Sequence, residues 1–140
     1  MPVVVDTNVA LDWLLFAEPS VAPLFDAIGR GSLRWIATQA MRDELSHVLG
    51  RRLALEYAIP MQSALLLWDR ASCLVECATP GASRRLRCSD PQDQMFIDLA
   101  LSAPARWLVT RDKALLKLAR QARLHGVQVV TPQAWWFKAD

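Results

Sequence analysis

The sequence predicts an α/β fold: a three-layer α/β/α sandwich around a mainly parallel sheet of about five strands. Three observations carry this prediction. Short apolar runs such as Val3-Val4-Val5 and Trp107-Leu108-Val109 show no polar alternation, as strands buried on both faces require. Stretches with helical periodicity separate these runs, which implies right-handed crossovers between parallel strands. The 140 residues contain no repeat, low-complexity tract or long linker, and that length suits one domain spanning 1–140.

The elements follow in order. Val3-Val4-Val5 is the first strand, and a helix from about Asn8 to Phe16 follows it. Pro19 opens a second helix through Val21, Leu24, Phe25 and Ile28, which Gly29 and Gly31 end, because proline suits the first helical turn and glycine the residue past the last. Leu33 to Ala37 reads as a strand, and Thr38 caps a helix reaching about Arg52. Pro60 opens a helix with Ala64, Leu65, Trp68 and Ala71 on one face, and Cys73-Leu74-Val75 reads as a strand. Ala78 to Ser89, with Pro80, Gly81 and three arginines, reads as a loop. Asp90-Pro91 starts a helix through Met95, Phe96, Leu99 and Ala100; Trp107-Leu108-Val109 is a strand. Lys113 to Leu124 reads as one helix and Val127 to Val130 as the last strand, before Pro132.

Hydrophobic residues make up 53% of the chain and charged ones 21%, a balance that argues against disorder. No apolar run approaches the roughly 20 residues of a membrane span, and Met1-Pro2-Val3-Val4-Val5-Asp6 has no signal-peptide character. The expectation is a cytoplasmic protein with no membrane partner. Three cysteines without a Cys-x-x-Cys pair or clustered histidines argue against a zinc site or a disulfide framework. The formal charge of +2 is too small for nucleic-acid binding by bulk charge alone. Arginine nevertheless outnumbers lysine thirteen to three, and arginine is the better bidentate phosphate ligand.

Ligands of open α/β sheets bind beyond the carboxyl ends of the strands. Asp6 directly follows the first strand, and Asp112 follows Trp107-Leu108-Val109-Thr110 by a short turn. Either aspartate alone also fits a helix cap or a turn. Glu44 lies beside an apolar stripe of Met41, Leu45 and Val48, with Arg42, Asp43, Ser46 and His47 on the opposite side. A carboxylate facing a core is costly unless paired or bound to metal, although a glutamate at the rim reaches water or an arginine. Asp90 is a good N-cap with Pro91 at the first helical position, which leaves Asp93 free to face the same crevice.

The constellation says more than its members. Four carboxylates about 6 Å apart repel by about 3 kcal/mol per pair at an effective dielectric constant of about 20. Summed over the cluster, this is on the order of 15 kcal/mol, comparable with the whole stability of a domain. Such a cluster takes up protons or a dication. An all-oxygen donor set selects Mg²⁺ or Mn²⁺ over zinc or copper. A hard dication among carboxylates activates water and neutralises charge developing on a phosphodiester, so the chemistry points to phosphoryl hydrolysis.

Four segments in order resemble those of PIN-domain nucleases. They are Asp6-Thr7-Asn8-Val9 after the first strand, Asp43-Glu44-Leu45 with Val48-Leu49, Asp90-Pro91 with Asp93, Phe96, Leu99 and Ala100, and Leu108-Val109-Thr110 with Asp112, Leu115 and Leu116. The closing Val129-Val130-Thr131-Pro132 also fits. Within that family the chain resembles the VapC-like toxin components of bacterial toxin–antitoxin modules. That resemblance implies a parallel sheet, Mg²⁺ or Mn²⁺ dependence, endoribonuclease activity on an RNA substrate leaving 5′-phosphate and 3′-hydroxyl ends, homodimers or higher homo-oligomers, and neutralisation by a small antitoxin protein. It assigns Asp6, Glu44, Asp93 and Asp112 as the catalytic, metal-binding acids, with Asp90 as an additional metal ligand. It gives supporting roles to Thr110, by hydrogen bonding, and to Thr7 and Asn8, around Asp6. The sequence departs from the family at Arg111, a position often small or amide-bearing, and in a longer arginine-bearing loop before Asp90.

Arg84, Arg85, Arg87, Arg111 and Lys113 flank the expected crevice and are candidate phosphate contacts, a solvated loop and helix start being the other reading. Of six tryptophans, Trp35, Trp68 and Trp107 lie in apolar runs and read as core. Trp13 is placed to face a partner. Trp135-Trp136-Phe137 either seals the last strand or forms a dimer or antitoxin surface. A phosphatase with an aspartate nucleophile needs an Asp where Asn8 stands, and a receiver domain needs an acidic pair and a lysine that are not evident. A nucleotide-binding Rossmann module needs a glycine-rich first turn. The remaining alternative is a catalytically silent PIN scaffold that binds RNA or protein.

Overall fold

The computed structural model of the chain describes residues 1–53, 61–78, 85–103 and 105–138. Five strands, β1 (Pro2–Val5), β2 (Arg34–Ala37), β3 (Ser72–Leu74), β4 (Trp107–Val109) and β5 (Gln128–Val130), form one sheet in the order β3-β2-β1-β4-β5. Every neighbouring pair is parallel. Eight α-helices are described: α1 (Thr7–Leu14), α2 (Ala22–Gly29), α3 (Gln39–Leu53), α4 (Met61–Ala71), α5 (Gln94–Ser102), α6 (Lys113–Leu116), α7 (Ala119–Arg123) and α8 (Pro132–Lys138).

The chain winds outward from β1 through β2 to β3, then returns to the other side of β1 for β4 and β5. Right-handed crossovers then put α1 to α4 on one face and α5 to α7 on the other. The packing agrees: α1 and α3 contact α4, α5 lies against β1 and β4, and α7 lies against β5. Val3, Val4, Leu108 and Val109 are fully buried because helices cover both faces, each contributing about 1.5–3 kcal/mol by leaving water. The reversal of winding lies between β1 and β4, and the crevice at that switch point is where sheets of this kind bind ligands.

The predicted elements that fall on described residues are present, with shifts; Pro60, expected to open the fourth helix, and residues 79–84 of the expected loop lie outside the described residues. Pro19 and Pro91 open 3-10 turns (Pro19–Val21 and Pro91–Asp93) that lead into α2 and α5 rather than opening them directly. The helix expected over Lys113 to Leu124 is two short helices. At the break, the Leu118 amide bonds back three residues to Leu115, 3.0 Å away, and this tighter turn lets Leu115, Leu118 and Ala122 all reach the core. The chain beyond β5 forms α8: Thr131 Oγ1 accepts from the Ala134 amide at 3.2 Å and Pro132 occupies the first helical position. Helix α8 packs on α2, with Trp135 buried and Trp136 49% exposed.

Trp35, Trp68 and Trp107 are buried as expected. Trp13 is half-buried: its ring stacks on Phe25 with centroids 4.5 Å apart. Trp35 stands edge-on to Trp13, Phe25 and Trp68, at 6.2, 5.5 and 5.7 Å. All three cysteines are free thiols. No described helix is long and apolar enough to cross a membrane.

Candidate metal centre

Beyond the carboxyl ends of β1 and β4 lies a cleft of about 420 Å³, lined by Asp6, Thr7, Asn8, Glu44, Val48, Arg51, Asp90, Gln92, Asp93 and Asp112. All five acids singled out in the sequence reach it. Asp90, Asp93 and Asp112 each offer a carboxylate oxygen within 4.8 Å of the other two; Asp6 and Glu44 complete the wall without joining that closest group. Depth grades the set: Asp6 and Asp93 are buried, Glu44 and Asp112 half-buried, and Asp90 exposed at the mouth.

Backbone and threonines hold the acids in place. The Asp6 amide donates to the Val109 carbonyl at 3.0 Å, which continues the β1–β4 ladder one residue past the strand. Its side chain makes no capping hydrogen bond to α1; instead the buried Thr110 hydroxyl donates to Asp6 Oδ2 at 2.7 Å. Thr110 Oγ1 also accepts from the Asp112 amide at 2.9 Å, so one hydroxyl ties the two strand ends together. Asp112 does cap its helix, accepting from the Ala114 amide at 2.7 Å, and Asp90 caps the 3-10 turn through the Gln92 amide at 3.0 Å. For these two aspartates the cap and the site coexist, since each cap uses one oxygen. The Thr7 hydroxyl donates to Glu44 Oε2 at 2.6 Å, bridging α1 to α3. Asn8 is exposed on the cleft wall, with no side-chain hydrogen bond among the described residues.

On α3 the buried stripe is Met41, Leu45 and Leu49. Val48, assigned to that stripe from sequence, turns half-exposed into the cleft with Glu44, because a four-residue step from Leu45 leads to Leu49.

The electrostatics favour a bound cation. Burial pushes the Asp93 carboxyl up to about 8, helped by the facing Asp112 carboxyl and the charges of Asp6 and Asp90. Burial also raises Asp6, to about 6, with Asp112 and Glu44 adding to the rise and the Thr110 hydrogen bond opposing it. Asp93 Oδ2 is buried with no hydrogen-bond partner among the described residues. Buried carboxylate oxygens are rarely left so, and three ionised acids at this spacing repel by on the order of 10 kcal/mol at an effective dielectric constant of about 20. An orphaned oxygen in an all-oxygen donor set fits a hard dication such as Mg²⁺ or Mn²⁺.

The expected phosphate-binding residues fare differently. Arg111 forms an ion pair with Asp12 and donates to Ser20 Oγ at 2.6 Å, bracing the β4–α6 loop against α1 instead of lining the cleft. Arg85 and Arg87 are exposed beside Cys88, Pro91 and Gln94 in a neighbouring depression. Lys113 is exposed outside the cleft lining, and Arg84 lies outside the described residues. Sequence reasoning missed Arg51 and Gln92. Arg51 was legible in principle, since it follows Glu44 by seven residues on one helix and therefore shares its face.

A larger cavity of about 510 Å³ lies at the opposite ends of the strands, among Arg30, Arg106, Trp107, Trp135 and Trp136. It has no carboxylate among its lining residues, so chemistry rather than size marks the candidate cleft.

Fold and site together define a doubly wound α/β protein with an acidic cleft at its switch point. The PIN domain family profile matches residues 2–114, and the chain belongs to that family, whose members are generally nucleases that use divalent metals. Among solved structures, the chain is similar to one in the crystal structure of VapBC2 from Rickettsia felis bound to a DNA fragment from its promoter. The TM-score is 0.62 at 13% identity over 92% of this chain and 97% of that one. At that identity the likeness is one of fold. No curated protein sequence matches the chain.

Proposed function

We propose that the protein is a divalent-metal-dependent endoribonuclease, the toxin of a toxin–antitoxin module. The observation that carries the reading is the buried, unpartnered Asp93 oxygen within a group of three aspartates whose oxygens lie within 4.8 Å. Family membership supports it.

Asp90, Asp93 and Asp112 hold Mg²⁺ or Mn²⁺, with Asp6 and Glu44 as the remaining acids of the centre. The bound ion supplies acidification of water and neutralisation of the charge that develops on the phosphodiester. Thr110 keeps Asp6 and Asp112 in register, Thr7 fixes Glu44, and Asn8 flanks Asp6 at the cleft wall. Burial of Asp6 and Asp93 lowers the local dielectric, which strengthens their hold on a cation. By the same family likeness, the working unit is a homodimer or higher homo-oligomer, a small antitoxin protein is its partner and its setting is the cytoplasm.

The test is cleavage of labelled RNA by the purified protein with Mg²⁺ or Mn²⁺, alongside Asp6→Asn and Asp93→Asn. Wild type is expected to cut, leaving 5′-phosphate ends, and each variant to lose at least about a hundredfold. Equal cleavage by all three proteins defeats the assignment. RNA binding and metal uptake without cleavage mark the chain as a silent scaffold.

A further inference from the structure

Among the described residues, the wall of the acidic cleft holds one cation. Five of the ten described residues that line it are carboxylates, and Arg51 is the one cation among those ten. Arg51 is exposed, and among the described residues it forms no ion pair with any of these acids. Position explains this. Seven residues along α3 from Glu44, Arg51 lies on the same face but about 10 Å further along the helix axis at 1.5 Å per residue. Val48 occupies the turn between them and lines the same wall. The guanidinium therefore neither pairs with Glu44 nor competes with a metal ion for the aspartates, yet it borders the same space.

We propose that Arg51 is the phosphate-binding side chain of this cleft, holding the RNA backbone beside the phosphodiester that is cut. The inference rests on the ribonuclease reading above and deepens it. A polyanion entering a wall of five acids meets net repulsion wherever the bound ion does not offset it. An arginine fork presents paired donors to phosphate oxygens with little loss of freedom per bond. The other described basic residues expected near the site serve this role less well: Arg111 is taken up by Asp12 and Ser20, and Arg85, Arg87 and Lys113 lie outside the lining.

Arg51→Ala and Arg51→Lys are compared with wild type on a labelled single-stranded RNA oligonucleotide with Mn²⁺, over a salt series. For Arg51→Ala, KM rises about tenfold with kcat within about twofold, and the slope of log KM against log salt flattens by about 0.7, one phosphate contact on a single strand. Arg51→Lys recovers part of the loss, and calorimetry finds Mn²⁺ bound by Arg51→Ala at least as tightly as by wild type. Unchanged KM and slope in Arg51→Ala overturn the inference, as does a loss of Mn²⁺ affinity. A loss produced by Arg87→Ala and absent from Arg51→Ala also overturns it. In each of these outcomes wild type still cuts RNA, which leaves the ribonuclease reading standing; a wild type that cuts no RNA with either ion removes both.

Discussion

Two clusters in this molecule are built from side chains of several elements, and they act on the fold with opposite sign. Trp13, Phe25, Trp35 and Trp68 bring α1, α2, β2 and α4 together through stacked and edge-on rings 4.5 to 6.2 Å apart. That assembly is favourable as it stands, through buried area and ring geometry. Asp6, Glu44, Asp90, Asp93 and Asp112 bring the opposite case: like charges, two of them buried, favourable only when protons or a cation intervene. The aromatic cluster supplies stability that the acidic cleft consumes, as expected when function holds groups in an environment that does not suit them.

Substitution in each cluster tests the contrast. Trp35→Ala is expected to cost about 3–5 kcal/mol of unfolding free energy by chemical denaturation, as large core truncations do. Trp35→Phe should cost less than its lost area implies, since Trp35 Nε1 is buried without a hydrogen-bond partner among the described residues and its removal relieves that penalty. In the cleft the sign reverses: Asp93→Asn should raise the melting temperature of the metal-free protein while removing its stabilisation by Mn²⁺. A fall in metal-free melting temperature would show that the cleft is not electrostatically strained.

Thr110→Val lies between these extremes. It removes the donor to Asp6 and the acceptor for the Asp112 amide, so metal affinity should fall about 10- to 100-fold, the usual effect of losing a group that orients ligands. Calorimetric titration with Mn²⁺ measures it, and an unchanged affinity would mean that the strand ends alone position both acids.

The dependence on pH tests the same strain. Asp6 and Asp93, at about 6 and about 8 in the fold, both lie above the ordinary aspartate value of about 3.9. A raised folded pKa means that the native state holds the proton more tightly. The associated stability is complete below about pH 4 and is lost as pH rises through about 6 and then about 8. The metal-free protein should therefore melt progressively lower from pH 5 to pH 9, and saturating Mg²⁺ should flatten that trend. A melting temperature that rises over this range without metal would contradict the assignment.

Much of this architecture was readable in one dimension. Strand residues such as Val3-Val4-Val5 must be covered on both faces, and an acid directly or one short turn after such a strand must stand at its carboxyl end. That local rule located Asp6 and Asp112, and proline, threonine and glycine marked the helix ends. Helix α8 was not legible although Thr131-Pro132 is a cap followed by a first-turn proline, because seven residues are too few to show a helical hydrophobic period. The single helix expected after Asp112 was divided by packing, which periodicity does not register.

Sequence by itself determined the alternation of elements, the parallel sheet and the placing of Asp6 and Asp112 beyond strand ends, because hydrophobic period and backbone stereochemistry act between residues close in the chain. Only the tertiary structure decided that Asp90, Asp93 and Asp112 form the closest group, that Thr110 serves two aspartates, and that Arg51 rather than Arg111 borders the cleft. Those outcomes depend on distances between residues far apart along the chain. Coulomb energies and hydrogen bonds vary over ångströms, and such distances exist only after the sheet has closed its register and the helices have packed upon it.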